Sequence, residues 1–324
     1  MQKNRTDMRI IFFGTPDFAV ASLNALVEQG REVCMVVTTP DKPVGRHQNT
    51  LVPSAVKQYA LEHGLPLMQP DDLTDCNFLS TLKQMQADLG IVVAFRKLPR
   101  EVWTMPRLGT FNLHGSLLPR YRGAAPINWA IINGETETGV TTFMLDDRID
   151  TGSLLLSHKL AIGKDDTFGE VYLRLMQMGA GLTLETVEGI EQGKLTPVPQ
   201  TGEVLEHQKR APKLFRENTR IDWHKSPTEI HNLVRGLSPA PAAWTLLEGE
   251  GLRPQQLKVF QTRVRLAEHQ LPVGMLVAET RDALSVAVEG GFVDILELQV
   301  AGKKRMAAAD LLRGNQSILE LKVK

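Results

Sequence analysis

Apolar and polar positions follow two different periods in the first half of the chain. Short apolar runs, which predict buried strands, occupy residues 8–14, 33–39, 65–68, 89–94 and 109–113. Segments with an apolar residue every three or four positions, which predict helices, lie at residues 18–29, 54–63 and 78–86. Strands that alternate with helices favour a parallel sheet, so we predict an α/β fold for this part.

The first strand-to-helix turn contains residues that favour the start of a helix. Gly14 is followed by Thr15 and Pro16, which we expect to be the N-cap and the first residue of the helix. The turn has this single glycine and lacks the G-x-G-x-x-G pattern of dinucleotide-binding turns. The sequence therefore argues against a nicotinamide-dependent oxidoreductase.

The pattern changes in the second half of the chain. Residues 140–145 and 154–160 are predicted to form a hairpin. Residues 168–192 are predicted to form a helix that is interrupted at the Gly-Ala-Gly sequence, residues 179–181. Residues 193–215 have no periodicity and contain several prolines, which predicts a linker that runs over the surface. After a short helix, the last part of the chain shows closely spaced short strands, typical of a small β-barrel or sandwich.

Length and charge limit the possible partners. With 324 residues the chain is long enough for two domains, each with its own apolar core. The formal net charge is zero, so the molecule as a whole is not attracted to nucleic acid. Residues 209–324 nevertheless hold 18 basic and 13 acidic residues, which indicates an anionic partner for the C-terminal part.

Cysteine content and hydropathy indicate the compartment. The two cysteines, Cys34 and Cys76, belong to no C-x-x-C motif, which argues against a disulfide framework and a thiolate zinc site. The sequence has no run of about 18 apolar residues, and its polar start does not resemble a secretory signal. We expect a reduced, cytoplasmic monomer that makes no contact with membranes.

The apolar run at 109–113 brings two polar side chains to one end of a strand. Asn112 and His114 are two residues apart, so their side chains point to the same face. Ligands of open α/β sheets bind at the carboxyl ends of the strands, which makes this pair a candidate site. The alternative is that Asn112 satisfies local backbone groups and that His114 is a hydrogen-bonded core histidine.

Acidic residues follow the next predicted strand. Asp150 precedes Thr151 and Gly152, a tight turn that can direct the carboxylate inward. The alternative is that Asp150 forms only a local Asx turn. Asp146 and Asp147 fit better as solvated or capping residues.

Together Asn112, His114 and Asp150 suit acyl transfer without a covalent intermediate. An asparagine amide can stabilise an oxyanion, a histidine can bind the same oxygen or move a proton, and a carboxylate can assist. The G-x-S-x-G motif is absent, so Ser116 is not expected to be a nucleophile. The histidines are scattered without H-x-x-x-H spacing, so we predict no metal site.

Several motifs occur in order along nearly the whole chain. They are I-I-F-F-G-T-P-D-F-A at 10–19, P-D-K-P-V-G-R at 40–46, F-N-L-H-G-S-L-L-P-R-Y-R-G-A-A-P-I at 111–127, D-T-G at 150–152 and R-G-L-S-P-A-P-A-A-W at 235–244. Together they resemble the formyltransferases that use 10-formyltetrahydrofolate. The resemblance implies a Rossmann-like catalytic domain at 1–193, a linker at 194–215 and a C-terminal tRNA-binding β-barrel, similar to an OB-fold, at 216–324.

The resemblance also implies roles for single residues. The catalytic triad of the family falls on Asn112, His114 and Asp150, the three residues that the chemistry selects. The folate co-substrate is expected to lie against the segment formed by Ser116, Leu117, Leu118 and Pro119. The strand end at 94–99 departs from the family pattern, so we expect the folate pocket to differ near Phe95.

The implied acceptor is the α-amino group of initiator methionyl-tRNA. The polar loop at 40–53 is expected to enter the acceptor stem, with Arg46 at a basic position of the family, and Lys303 and Lys304 to contact the tRNA backbone. Two alternatives remain open. The amine could belong to a sugar nucleotide or a purine precursor, or the chain could be a folate-binding or RNA-binding module without catalysis.

Overall fold

The computed structural model describes residues 8–44, 50–200, 209–280 and 282–324. Strands and helices alternate in the first part, as predicted. The strands are β1 (Arg9–Gly14), β2 (Glu32–Val37), β3 (Lys42–Val44), β4 (Thr50–Val52), β5 (Leu67–Met68), β6 (Leu89–Val93), β7 (Thr110–His114), β8 (Glu137–Met144) and β9 (Leu154–Ala161). The helices are α1 (Asp17–Glu28), α2 (Ala55–Glu62), α3 (Cys76–Gln84), α4 (Arg100–Trp103), α5 (Pro126–Ile132) and α6 (Phe168–Glu191).

A seven-stranded sheet with the order β5-β2-β1-β6-β7-β8-β9 forms the centre of this part. Strands β5, β2, β1, β6 and β7 pair in parallel, and β8 joins β7 in the antiparallel direction. Every residue of β6 is buried, which explains its continuous apolar sequence. The sheet is therefore Rossmann-like and mostly parallel, as expected.

The start of α1 differs from the prediction by one residue. Pro16 occupies the N-cap position and Thr15 makes no capping contact, because the helix begins only at Asp17. The amide of Phe18 donates instead to the Asp17 carboxylate at 3.0 Å and to the Tyr172 hydroxyl at 3.2 Å. These oxygens satisfy a helix N-terminus that has no side-chain cap.

The predicted interruption of the long helix is wrong. Helix α6 runs without a break through Gly179 and Gly181. Gly179 is buried against Leu113 of β7, where a Cβ atom would lie 2.8 Å from the leucine Cδ2. The glycine thus allows the helix to lie close to the strand and does not end it.

The loop at 40–53 contains the short antiparallel pair of β3 and β4. Residues 45–49 lie outside the described residues, and Arg46 is among them. The contact predicted for Arg46 therefore remains a prediction.

The last part of the chain folds into an antiparallel sheet with helices packed against it. The elements are α7 (Pro227–Leu237), β10 (Ala243–Glu248), β11 (Gln255–Leu266), β12 (Leu276–Val277), β13 (Leu284–Val288), β14 (Gly291–Val300), β15 (Met306–Ala307), α8 (Ala308–Gly314) and β16 (Lys322–Val323). The strand order is β12-β13-β14-β11-β10-β16, with β15 beside β14. A bridge between Met275 and Lys322 links the two ends, so the sheet forms a nearly closed barrel, as predicted.

The chain divides into two compact units that interleave in sequence. The first comprises the described residues of 8–123, 139–160 and 172–210, and the second those of 124–138, 161–171 and 211–324. Helix α5 therefore belongs to the second unit, where Asn128 donates to the carbonyl of Gly236 in α7 at 2.8 Å. Across the described ranges, no helix combines the length and the apolar character needed to cross a membrane.

Candidate active site

The candidate site lies at the carboxyl edge of the first sheet, where β7 ends. Asn112 pairs with Val92 of β6 and with Phe143 of β8, and His114 pairs with Thr141 of β8. The strand is held on both sides, so its two polar side chains have fixed positions on one face.

Asn112 carries a buried amide oxygen without a hydrogen-bond partner. Buried polar atoms are nearly always satisfied, so this oxygen is available to accept a hydrogen bond from a bound molecule. The amide oxygen of Asn112 therefore accepts from no backbone group among the described residues.

His114 is buried, with only 6% of its surface exposed. Its Nε2 lies 2.9 Å from the carbonyl oxygen of Tyr121, which can only accept, so Nε2 carries the proton. Nδ1 is then the basic nitrogen of the neutral ring, and it lies 3.9 Å from Oδ2 of Asp150. This distance is too long for a hydrogen bond. The backbone of Tyr121 therefore orients the imidazole, while Nδ1 faces the carboxylate across a short gap.

Asp150 is turned toward the site by a strained and crowded turn. Its φ angle is +57°, a left-handed conformation that costs an L-residue about 1–2 kcal/mol. Its Oδ2 accepts from the amide of Gly123 at 2.8 Å, a residue distant in sequence, so the carboxylate does not form merely a local Asx turn. A Cβ atom at Gly152 would lie 1.6 Å from the carbonyl oxygen of Met144, which explains the glycine of D-T-G.

Asp146 lies in the loop between β8 and β9 and caps no helix there. Its carboxylate accepts from the Thr151 hydroxyl at 2.7 Å and from the Arg148 amide at 3.0 Å. These bonds fix the loop that carries Asp150.

Backbone strain is concentrated at this edge. Ala94 after β6, Tyr121 and Asp150 have φ angles of +47°, +59° and +57°. Strained backbone of this kind is typical of functional sites, where the surrounding structure maintains it.

The segment expected to contact folate forms an ordered turn after β7. Ser116 is fully buried, and its hydroxyl donates to the carbonyl of Arg120 at 2.7 Å. The Thr141 hydroxyl donates to the carbonyl of Ser116 at 2.7 Å and accepts from the amide of Leu118 at 3.2 Å. Leu118 is buried as well, so Leu117 and Pro119 are the partly exposed members of the segment.

The altered strand end near Phe95 contacts the loop after β8, where Lys97 donates to the carbonyl of Asp147 at 3.1 Å. Arg96 donates to the carbonyls of Asp71 at 2.8 Å and Pro70 at 2.5 Å. The Phe95 ring packs against Phe13 with centroids 5.9 Å apart. Arg96 thus binds the backbone of the loop at residues 70–71.

Sequence reasoning missed one side chain that reaches this site. Gln200, in the segment predicted to be a linker, donates to the carbonyls of Asp150 at 3.1 Å and Gly152 at 2.8 Å. Its amide oxygen accepts a hydrogen bond from Nη2 of Arg122 at 2.6 Å. Burial lowers the pKa of the Arg122 guanidinium, and the nearby Asp150 carboxylate opposes this effect. No periodicity or motif near Gln200 indicated these contacts.

The remaining predicted residues lie elsewhere. Lys303 and Lys304 are exposed in the turn between β14 and β15 of the barrel. In the part of the chain that the structure describes, no cluster of three or more His, Cys, Asp or Glu side chains could hold a metal ion.

An amide, an imidazole and a carboxylate at the edge of a Rossmann-like sheet are groups suited to group transfer between bound substrates. Residues 8–187 match the family described as formyl transferase, and residues 213–316 match its C-terminal domain. The chain belongs to the formyl transferase family.

Similar proteins agree with this assignment. The methionyl-tRNA formyltransferase of Parabacteroides distasonis is 52% identical over 321 residues, which is 98% of this chain and 99% of the relative. HypX from Aquifex aeolicus, solved in complex with tetrahydrofolic acid, is 21% identical with a TM-score of 0.62, and the chain covers about half of it, 48%. An N-formyltransferase from Helicobacter canadensis is 18% identical with a TM-score of 0.63 over 92% of this chain and 99% of its own. The two solved structures show the fold alone.

Proposed function

We propose that the chain transfers the formyl group of 10-formyltetrahydrofolate to the α-amino group of initiator methionyl-tRNA. The observation that carries this proposal is the meeting of Asn112, His114 and Asp150 at one sheet edge. The high identity to a full-length methionyl-tRNA formyltransferase supports the choice of acceptor.

The geometry supports a direct attack of the amine on the formyl carbon. Formation of the C–N bond places negative charge on the formyl oxygen, where the Asn112 amide donates to it. His114 can donate to the same oxygen through Nδ1 only when it carries a second proton, since Nε2 is bound to Tyr121. The Asp150 carboxylate, which faces Nδ1 at 3.9 Å, takes the proton of the attacking amine. Collapse of the intermediate breaks the bond from the formyl carbon to the folate nitrogen, which takes up the proton that Asp150 received from the amine.

The substrates are assigned to different parts of the chain. The folate lies against Leu117 and Pro119, with Ser116 and Leu118 shaping the turn beneath them. The tRNA is bound through Arg46 and, on the barrel, through Lys303 and Lys304. In functional terms, residues 1–193 are the catalytic domain, 194–215 the linker and 216–324 the tRNA-binding domain. The enzyme acts as a monomer in the cytoplasm, and sedimentation at micromolar concentration tests the monomer.

The experiment compares acceptors in one formyl-transfer assay with 10-formyltetrahydrofolate. Charged initiator tRNA, free methionine and an amino-sugar nucleotide are each supplied to the purified protein, and N-formyl product is quantified. We expect product on the tRNA and none above background on the other two. Transfer to the sugar nucleotide and not to tRNA overturns the proposal.

Variants test the site in the same assay. His114→Ala and Asp150→Ala are expected to lower kcat by about 10²–10⁴, the range for a positioned acid or base. A loss under about tenfold for Asp150→Ala reduces that residue to a structural turn. Normal formylation by His114→Ala contradicts the assignment of the site.

A further inference from the structure

Gln200 joins the two loops that form the candidate site. Arg122 belongs to the loop after β7, whereas Asp150 and Gly152 belong to the loop after β8. The two donor hydrogens of the Gln200 amide serve the carbonyls of Asp150 and Gly152, at 3.1 and 2.8 Å. Its oxygen accepts twice from the Arg122 guanidinium, at 3.2 Å from Nε and 2.6 Å from Nη2. One side chain thus uses its full hydrogen-bonding capacity to connect the loops.

Both carbonyls that Gln200 binds belong to the turn that carries the Asp150 carboxylate. Asp150 has a positive φ angle, and Gly152 lies against the carbonyl of Met144, so this turn is both strained and tightly packed. The Asp150 carboxylate in turn accepts from Gly123, the residue after Arg122. Gln200 and Gly123 therefore hold Asp150 from two sides, one through its backbone and one through its side chain.

We propose that Gln200 is a positioning residue that holds the Asp150 turn in its reactive conformation, with Arg122 fixing the orientation of the Gln200 amide. The proposal rests on the proposed function, in which Asp150 takes the amine proton. Gln200 acts through Asp150 and touches no substrate. Small displacements of a reacting group can lower a rate about 10²-fold, so loss of this support is expected to lower kcat.

Gln200→Glu is the most informative variant because it keeps the size and shape of the side chain. It retains an acceptor for Arg122 and removes both donors to the turn. If only the bond to Arg122 mattered, the variant would be active. Gln192→Glu is the matched control, since Gln192 is exposed just after α6 and the charge change is identical.

We expect Gln200→Glu to lower kcat by about 10- to 100-fold, with KM for folate and tRNA changed less than about threefold. Gln192→Glu is expected to have the kcat of the wild-type protein. Gln200→Met, which keeps the length of the side chain without charge, is expected to lower kcat in the same way. Urea unfolding of each variant shows that it is folded.

The double variant Asp150→Ala/Gln200→Glu separates positioning from other roles. Because Gln200 acts through Asp150, the double variant is expected to have the kcat of Asp150→Ala alone. If Gln200→Glu lowers kcat by the same factor in both backgrounds, Gln200 does not act through Asp150 and the inference is wrong. If Gln200→Glu is fully active while Asp150→Ala is inactive, the inference fails and the proposed function stands. If Asp150→Ala is itself active, the role of Asp150 in proton transfer is wrong and the positioning role of Gln200 fails with it, whereas the proposed function fails only if the wild-type protein does not formylate charged initiator tRNA.

Discussion

Asn112 combines a functional position with an unfavourable burial. Its Oδ1 is buried without a partner, so the residue contributes little to stability while the substrate is absent. We expect Asn112→Ala to lower kcat by about 10²–10³, the loss typical of an oxyanion donor. We expect its free energy of unfolding to remain equal to that of the wild-type protein or to rise. Formylation assays and urea unfolding check the two parts.

Asn128 provides the matched control for Asn112. It is a buried asparagine too, but its amide donates to the carbonyl of Gly236 at 2.8 Å. Asn128→Ala leaves that carbonyl without its partner, so we expect a loss of about 1–3 kcal/mol in unfolding free energy and an unchanged kcat. A stability loss at Asn112 as large as the loss at Asn128 would contradict the assignment of Asn112 to catalysis.

His231 links stability to pH. Burial is the main cause that lowers its pKa, followed by the charge of Arg235, while Asp165 opposes them. The folded protein therefore prefers the neutral ring, and the unfolded chain binds the proton as the pH falls below the ordinary value of about 6.5. The stability contribution is present above that pH and is lost on acidification.

Urea unfolding at pH 7.5 and 5.5 measures this contribution. We expect the drop in unfolding free energy between the two pH values to be smaller in His231→Gln than in the wild-type protein. The exposed His224 provides the control, and His224→Gln is expected to show the drop of the wild-type protein. Equal drops in all three proteins would contradict a neutral buried His231.

Prediction at the level of residues succeeded where a local rule applied. Side chains alternate along a strand, which predicted that Asn112 and His114 lie on one face. The tight turn expected at Thr151 and Gly152 predicted that the Asp150 carboxylate points inward. Gln200 lies 50 residues from the carbonyl of Asp150 that it binds, in a segment without periodicity. Contacts of this kind depend on the folded backbone, so no local sequence rule can find them.

At the level of elements, α6 shows how glycines mislead sequence interpretation. The prediction treated the Gly-Ala-Gly sequence as a break, because glycine weakens a helix by about 1 kcal/mol relative to alanine. Packing of α6 over β7 outweighs this preference. The apolar runs predicted that the strands exist. Their order in the sheet could not be predicted in the same way, because it depends on pairing between residues far apart in the sequence.

Two glycines of α6 test this explanation. Gly181 is exposed, and a Cβ atom added there would have no other atom within 4 Å, so Gly181→Ala is expected to stabilise the protein by up to about 1 kcal/mol. At Gly179 the Cβ would meet Leu113, so Gly179→Ala is expected to give no gain or a loss. Urea unfolding compares the two, and equal gains would show that Leu113 does not restrict the helix.

At the scale of the whole molecule, the zero net charge conceals a separation of charge along the chain. Residues 209–324 hold 18 basic and 13 acidic residues, and the barrel within them carries exposed lysines. Among the residues described, neither Lys303 nor Lys304 forms an ion pair with an acidic side chain. They can therefore bind phosphate groups without first breaking a bond within the protein.

Salt dependence of tRNA binding tests this role of the barrel. Each phosphate contact releases counterions, so the logarithm of affinity falls with the logarithm of salt concentration. We expect Lys303→Gln/Lys304→Gln to reduce the magnitude of that slope by about 1 to 2 and to weaken binding at low salt. Lys83 is an exposed lysine on α3, and the control variant Lys83→Gln should leave the slope unchanged.

Fluorescence titration of initiator tRNA from about 50 to 200 mM salt measures the slope for each variant. An unchanged slope in the double variant would show that these lysines do not contact the tRNA. Because neither lysine lies at the edge of the first sheet, kcat at saturating tRNA should stay constant, which distinguishes a binding contact from a catalytic one.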